Sequence, residues 1–184
     1  QRFARPTVMD NLGLTEKRYI VFTLNRKAII GNDDELRALL VSMMSHTGDI
    51  PVVAPLRQLA ADAVQCIVNE NPLLFENLHI VEPLDYLHFG YLTANALGVV
   101  TDSGNVAEEA TFNTVPCITL NSYTEHIETV KVGSNVLVGE DPVLLGEEMA
   151  RMVDGKWKHC GIPERWDGRS AERIVQTLLE CAAK

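Results

Sequence analysis

Residues 101–109, with the sequence TDSGNVAEE, lie between a predicted strand and a predicted helix. The preceding run LGVV, at 97–100, is short, apolar and rich in valine, which is typical of a buried strand. The small and acidic residues that follow predict a helix that ends at Asn113. Ser103 and Gly104 form the tight turn, so unpaired helix N–H groups, a partial positive charge and a hydroxyl meet where a phosphate can bind. The turn alone is equally typical of an ordinary strand-to-helix connection, and both interpretations stay open at this point.

Similar apolar runs recur along the whole chain and alternate with amphipathic segments. Strands are predicted at 19–24, 51–55, 78–81, 97–101, 116–120 and 135–138. Helices are predicted at 36–44, 59–68, 83–96, 104–113, 141–152 and 170–179, with a loop at 157–168. This alternation predicts an α/β fold, a Rossmann-like doubly wound parallel sheet covered by helices on both faces. Ligands of such sheets bind beyond the carboxyl ends of the strands, where the Ser103-Gly104 turn is expected.

The composition narrows the class of protein. The chain has 184 residues, 46% of them hydrophobic, a net charge of −9 and a mean hydropathy of +0.02. These values predict one globular domain without a nucleic-acid surface, and no apolar run approaches the roughly 20 residues of a membrane span. The cysteines at 66, 117, 160 and 181 are expected to be buried reduced thiols, which favours a cytoplasmic protein. The start of the chain, without an initiator methionine, is expected to be a cut within a longer protein.

Several motifs occur in an order that identifies a family. They are TDSG at 101–104, EEA at 108–110, VPCITL at 115–120, TEHIET at 124–129 and GSNVLVG at 133–139. This order resembles the C-terminal half of the non-hydrolysing UDP-N-acetylglucosamine 2-epimerases, which have TDSGG-x-x-EEA, a TERPE-like segment and GTN-x-LVG. The segment EPLDYLHF at 82–89 is similar to the family's PL-x-YL-x-F. The resemblance implies the C-terminal half of a glycosyltransferase-B-like two-domain fold, with 1–17 as interdomain linker, 18–184 as the UDP-binding domain and the N-terminal catalytic-acid domain absent.

The resemblance assigns residues to UDP binding. They are Arg26, Phe89, Ser103, Gly104, Asn105, Glu109 and His126. Glu109 is the second glutamate of EEA, which grips the ribose hydroxyls in the family, and Phe89 matches an aromatic that walls the uracil pocket. Alternative interpretations stay open: Glu109 as a solvated helix glutamate and Phe89 as core. Glu108 is expected to face solvent. No catalytic residue is assigned in this domain, and no metal or other cofactor is predicted.

The sequence also departs from the family pattern, mainly around the expected diphosphate. Asn25 stands in place of a histidine, Asn105 in place of a second glycine, and His126 in place of an arginine. Further departures are at Ala28, Ile29, Leu56 and Ile127. An arginine binds phosphate through two hydrogen bonds and more firmly than a histidine does. We therefore expect these changes to reduce the efficiency of catalysis by the complete protein more than they reduce the recognition of UDP.

The resemblance implies a function for the complete protein: interconversion of UDP-GlcNAc and UDP-ManNAc by elimination and re-addition of UDP. The alternatives are a UDP-sugar glycosyltransferase of the same fold and a non-catalytic nucleotide-sugar sensor. The expected partners are a UDP-sugar and the N-terminal domain of the same protein, with a homodimer allowed at full length. Neither nucleic acid nor a membrane is expected.

Overall fold

The computed structural model describes residues 3–182. Its strands are β1 (Ile20–Phe22), β2 (Val52–Pro55), β3 (Leu78–Val81), β4 (Gly98–Thr101), β5 (Cys117–Thr119) and β6 (Asn135–Leu137). Its helices are α1 (Thr7–Asn11), α2 (Lys27–Ile30), α3 (Asp33–Ser45), α4 (Gln58–Glu70), α5 (Tyr86–Ala94), α6 (Gly104–Phe112), α7 (Ile127–Lys131), α8 (Pro142–Val153) and α9 (Ser170–Ala182).

The six strands form one parallel sheet in the order β3-β2-β1-β4-β5-β6. In the centre of the sheet, Ile20 pairs with Val52 on one side and with Gly98 on the other. This is the strand order of a Rossmann fold, in which the chain turns back at the boundary between β1 and β4. The predicted fold class is confirmed.

Side chains of the central strands alternate between two hydrophobic clusters, one on each face of the sheet. In β1, Ile20 and Phe22 point into the first cluster, and Val21 points into the second. The first cluster includes Leu40 of α3, and the second includes Ala107 of α6. Helix α6 is therefore held against the sheet by its small residues, which fixes its N-terminus at the sheet edge.

Polar residues mark where two of the longer helices begin and where a third one ends. Asn32 accepts a hydrogen bond from the backbone N–H of Glu35 at 3.3 Å at the start of α3. Asp141 accepts from Val143 and Leu144 ahead of α8, whose first residue is a proline, as predicted. Asn113 ends α6, also as predicted.

The N-terminal part of the chain packs on the domain. Within the predicted lead-in, α1 buries Val8 and Met9, and Leu14 joins them in the second cluster. The Leu14 backbone N–H donates to the Met9 carbonyl at 2.7 Å. These contacts tie residues 7–14 to the sheet.

The cysteine prediction is correct in one respect and wrong in another. All four cysteines are free, which agrees with reduced thiols. Cys117 is buried, but Cys66 lies on the exposed side of α4, and Cys181 is exposed because α9 buries none of its described residues. Burial therefore cannot be the reason for cysteine at those two positions.

Helix α9 differs from the other long helices because none of its described residues is buried. It carries an apolar face of Ile174, Val175, Leu178 and Leu179, whose exposed fractions are 55–63%. Across residues 3–182, none of the helices has both the length and the apolar character needed to cross a bilayer.

Candidate functional site

A large cavity lies at the carboxyl edge of the sheet, where β1 and β4 are neighbours. Its volume is about 620 Å³. The loops that follow β1, β2, β4 and β5 all contribute to its wall. The lining residues are Asn25, Arg26, Arg57, Asp102, Ser103, Gly104, Asn105, Ala107, Thr119, Asn121, Tyr123, Thr124, Glu125 and His126. We call this space the switch-point cavity.

The turn from β4 into α6 forms the floor of the switch-point cavity. Ser103 is the N-cap of α6, and its hydroxyl makes no capping bond to any described residue. Its backbone N–H instead donates to the Thr101 hydroxyl at 3.0 Å, and that hydroxyl lies 2.7 Å from the buried Thr23 hydroxyl. The backbone of the turn is thus fixed from below, while the Ser103 hydroxyl and the first N–H groups of α6 are available to a ligand.

Asp102 joins the loop after β1 to the loop after β4, and sequence reasoning missed this role. Its Oδ2 accepts from the backbone N–H groups of Asn25 at 2.8 Å and Arg26 at 2.6 Å. Its backbone carbonyl accepts from the side-chain amide of Asn121 at 3.1 Å. Its Oδ1 is buried without a hydrogen-bond partner among residues 3–182. Asp102 therefore anchors the loop after β1 through its carboxylate and the loop after β5 through its backbone carbonyl.

Two arginines line the cavity, and they differ in whether the guanidinium group is paired with a carboxylate. The Arg26 guanidinium donates to Glu140 at 2.7 Å and to the Asn121 side chain at 3.1 Å. Arg57, at the N-cap of α4, is exposed and forms no side-chain ion pair within the described part of the chain. The sequence analysis did not assign Arg57, although it lies in the loop after β2 as Arg26 lies in the loop after β1. Leu56, the neighbouring departure from the family, is buried.

His126 closes one side of the cavity and pairs with Glu108. The His126 Nδ1 lies 3.0 Å from a Glu108 carboxylate oxygen. A Cβ at Gly104 would lie only 3.0 Å from His126 Cδ2, so glycine allows the imidazole to approach the start of α6. Glu108, which is expected to face solvent, has 35% of its side chain exposed and uses its carboxylate in this pairing. Glu128 adds a third candidate metal ligand to this pair.

A second cavity, of about 460 Å³, lies along the later part of α6. Glu109 lines it, together with Glu108, Asn113 and an aromatic wall of Phe3, Tyr86, Phe112 and Trp166. Partial burial, with a smaller contribution from the Glu108 charge, raises the pKa of Glu109 above its ordinary value. We call this space the aromatic cavity.

Five of the seven residues assigned from the resemblance lie together in one cavity, a sixth lines the other cavity, and the seventh lines neither. Arg26, Ser103, Gly104, Asn105 and His126 line the switch-point cavity. Glu109 lines the aromatic cavity, five residues farther along α6 than Gly104. Phe89 is apart from both described linings: it is half-buried and packs against the second hydrophobic cluster.

The sheet is parallel and doubly wound, which defines a Rossmann-like domain. The N-terminus of α6 is exposed where the strand order reverses between β1 and β4, and ligands of such domains bind in the crevice at this position. A sequence profile of the UDP-N-acetylglucosamine 2-epimerases matches residues 1–179. The chain belongs to this family, which confirms the resemblance.

Individual relatives agree with the family assignment. UDP-N-acetylglucosamine 2-epimerase of Methanocaldococcus jannaschii is 44% identical over 105 residues, which cover 56% of this chain and 28% of the relative. A UDP-N-acetylglucosamine 2-epimerase homolog of Methanococcus maripaludis is 32% identical over 172 residues, 93% of this chain and 47% of the relative. The M. jannaschii epimerase solved in complex with UDP-GlcNAc and UDP superposes with a TM-score of 0.73 at 30% identity, over 96% of this chain and 49% of that one. The chain thus spans less than half the length of these relatives.

Proposed function

We propose that this chain is the UDP-binding domain of a UDP-N-acetylglucosamine 2-epimerase. The complete enzyme would interconvert UDP-GlcNAc and UDP-ManNAc by eliminating UDP to a glycal and adding it back. Family membership and the M. jannaschii complex with UDP-GlcNAc and UDP support this proposal. The observation that carries it is the placement of two cavities along one helix, α6, with an anion-receiving turn at its start and Glu109 farther along.

The diphosphate is proposed to bind in the switch-point cavity. The N–H groups of Gly104 and Asn105, with the Ser103 hydroxyl, donate to phosphate oxygens, and the helix charge favours the anion. Arg57 and His126, which also line this cavity, add further donors. Arg26 joins them when its guanidinium leaves Glu140, so ligand binding has to compete with that ion pair.

The ribose and the base are proposed to follow α6 into the aromatic cavity. Six residues of helix separate Ser103 from Glu109, a distance of roughly 9 Å along the axis, which a nucleoside diphosphate can span. The Glu109 carboxylate accepts from the two ribose hydroxyls, and the uracil packs against Tyr86 and its aromatic neighbours. Phe89, one helical turn after Tyr86, supports this wall by anchoring α5 in the core.

In the proposed reaction, this domain binds the leaving group. Elimination places negative charge on the UDP oxygen that leaves the sugar, and donors fixed in advance at the start of α6 stabilise that charge. The groups that move the C2 proton are proposed to lie in an N-terminal domain. The exposed apolar face of α9 supports such a partner, since it is a large uncovered surface in a chain that spans half of its relatives. The four free cysteines support a cytoplasmic setting.

The direct test is calorimetric titration of the isolated chain with UDP, with ADP as the control nucleotide. We expect one UDP per chain and weaker binding of ADP, because a larger base has to fit the same aromatic cavity. Absence of UDP binding by the folded chain, or equal binding of both nucleotides, would overturn the proposal.

A second test addresses the division of roles between domains. The isolated chain, incubated with UDP-GlcNAc in deuterated water, is expected to show no exchange at C2 and no UDP-ManNAc by proton NMR. Exchange above the buffer rate would show that proton transfer takes place in this domain, contrary to the proposal.

A non-catalytic nucleotide-sugar sensor is the second candidate function, and the Arg26–Glu140 ion pair favours it. A cavity cation that is already neutralised provides less stabilisation to a developing charge than a free one does. Turnover of UDP-GlcNAc by the protein at full length would exclude the sensor. Tight UDP-GlcNAc binding without turnover would support it instead.

A further inference from the structure

We propose that His126, Glu108 and Glu128 bind a divalent transition-metal ion beside the switch-point cavity, with Zn²⁺ as the reference ion. One ligand atom from each of these residues lies within 4.8 Å of the other two. Glu108 comes from the middle of α6, and the other two residues come from the start of α7. Sequence reasoning predicted no metal, since the ligands meet only through the packing of these helices.

The spacing of the ligand atoms suits a single ion. Zinc binds imidazole nitrogen and carboxylate oxygen at about 2.0–2.2 Å, so tetrahedral ligands lie roughly 3.3–3.6 Å from each other. His126 Nδ1 and the Glu108 oxygen are already 3.0 Å apart. The Glu128 ligand atom lies within 4.8 Å of the other two and would move closer to complete three protein ligands, which leaves a position for water or a ligand oxygen.

The charge around the cluster favours a cation. Glu108 and Glu128 are both half-buried, and within residues 3–182 neither forms an ion pair with a lysine or an arginine. A single imidazole facing two carboxylates leaves negative charge that a divalent ion would balance. The nitrogen ligand favours zinc or a similar transition metal over Mg²⁺, which prefers oxygen.

The backbone holds His126 in the geometry that the site needs. The His126 N–H donates to the Thr124 hydroxyl at 3.0 Å, and its carbonyl accepts from the Thr129 N–H at 3.0 Å and hydroxyl at 2.7 Å. Asn135 in turn donates to the Thr129 hydroxyl at 3.2 Å. A ligand fixed in this way loses little conformational freedom when the metal binds.

Metal at Nδ1 would also set the role of the other ring nitrogen. The His126 Nε2 lies on the Gly104 side of the ring, 3.3 Å from where a glycine Cβ would be. With Nδ1 bound to metal, the ring proton is on Nε2 and can be donated into the switch-point cavity. This consequence rests on the proposed UDP site, and it predicts that metal and UDP each strengthen the binding of the other.

The metal site is tested first without any nucleotide. Zn²⁺ is titrated calorimetrically into the chain with Cys66→Ser and Cys181→Ser as background, because exposed thiols bind zinc. We expect one equivalent that Mg²⁺ does not displace, weakened about 100-fold or more in His126→Gln and in Glu128→Gln. Glu125→Gln is the matched control, since it removes an equal charge one residue from His126 but outside the cluster. Circular dichroism checks that each variant is folded. No zinc equivalent, or one that survives both ligand variants, would overturn the proposal.

The coupling is tested by titrating UDP with and without saturating Zn²⁺. Tighter UDP binding with zinc in the background protein, but not in Glu128→Gln, supports the link between metal and phosphate site. Zinc binding in a chain that binds no UDP would leave the metal site standing and reject the nucleotide site. UDP binding in a chain that binds no zinc would support the nucleotide site and reject the metal site.

Discussion

The anchor at Asp102 gives a prediction that can be worked out from the hydrogen bonds of its carboxylate. Asp102→Ala removes two bonds, from the backbone N–H groups of Asn25 and Arg26, at 2.8 and 2.6 Å. A hydrogen bond to a charged group contributes about 1.5–3 kcal/mol, so the pair contributes about 3–6 kcal/mol. The lower end applies, because the freed N–H groups can be hydrated and the variant also removes the buried, unpartnered Oδ1. We therefore expect a loss of about 3 kcal/mol in the free energy of unfolding.

Urea unfolding and differential scanning calorimetry measure this loss. For a domain of this size, 3 kcal/mol corresponds to a decrease of about 6–12 °C in Tm. Affinity for UDP should fall as well, since the loop that carries Arg26 loses its anchor. Asp62→Ala is the matched control: that aspartate accepts one bond from Gln58 on the exposed side of α4, and its loss should cost less than about 0.5 kcal/mol. Equal stability of Asp102→Ala and wild type would show that the two hydrogen bonds to the Asp102 carboxylate do not stabilise the fold.

Further predictions concern the charges around the two cavities. The pKa of Glu109 is raised in the folded protein, so the wild type loses stability as the pH rises through that pKa. Measured by urea unfolding, the free energy of unfolding of Glu109→Gln should equal that of the wild type at acidic pH and should be higher at pH 7. Lower stability of Glu109→Gln at pH 7 would contradict this sign. Glu140→Gln frees Arg26 and should strengthen UDP binding about two- to fivefold by calorimetry, whereas weaker binding would place Arg26 outside the phosphate site. Arg57→Gln should weaken UDP binding about fivefold at low salt and less at high salt; an unchanged affinity would exclude Arg57 from the site.

The strands and the longer helices of this fold can be predicted from the sequence, because their buried apolar residues recur with a regular spacing. Runs of valine and isoleucine bounded by turns predict all six strands, and the stripe from Leu36 to Met44 predicts α3. Gly104 and Asn113 correctly mark the two ends of α6. A parallel, doubly covered sheet follows from this alternation, and with it the edge where ligands bind.

Short helices and surface faces are less readable. Helices α1, α2 and α7 have five, four and five residues, which is too short for a 3.6-residue period to show. Leu59 is the first apolar residue of the amphipathic pattern that predicts α4, yet it is 58% exposed, and its neighbour Ala60 is buried. Near the start of a helix, one apolar residue does not determine which face turns inward.

The candidate site was only partly predictable, because its contacts join residues far apart in the chain. The Ser103-Gly104 turn is a local feature and is visible in the sequence. The hydrogen bond from the Arg26 backbone N–H to Asp102 joins residues that are 76 positions apart in the sequence, so no local sequence pattern predicts it. The pairing of His126 with Glu108 likewise depends on how α6 and α7 pack. Such partners become visible only in the fold.

The central claim is that Glu109 grips the ribose of UDP, and a comparison of UDP with 2′-deoxy-UDP tests it most directly. Calorimetry would be run on wild type, on Glu109→Gln and on Glu147→Gln, a control that removes an exposed charge on α8. The account predicts that Glu109→Gln costs about 1.5–3 kcal/mol of UDP affinity, or about 10- to 150-fold, and that the variant barely distinguishes the two nucleotides. Wild type and the control should both prefer UDP clearly. A folded Glu109→Gln protein that binds UDP as tightly as wild type, or that keeps the full preference for the ribose, would contradict the account.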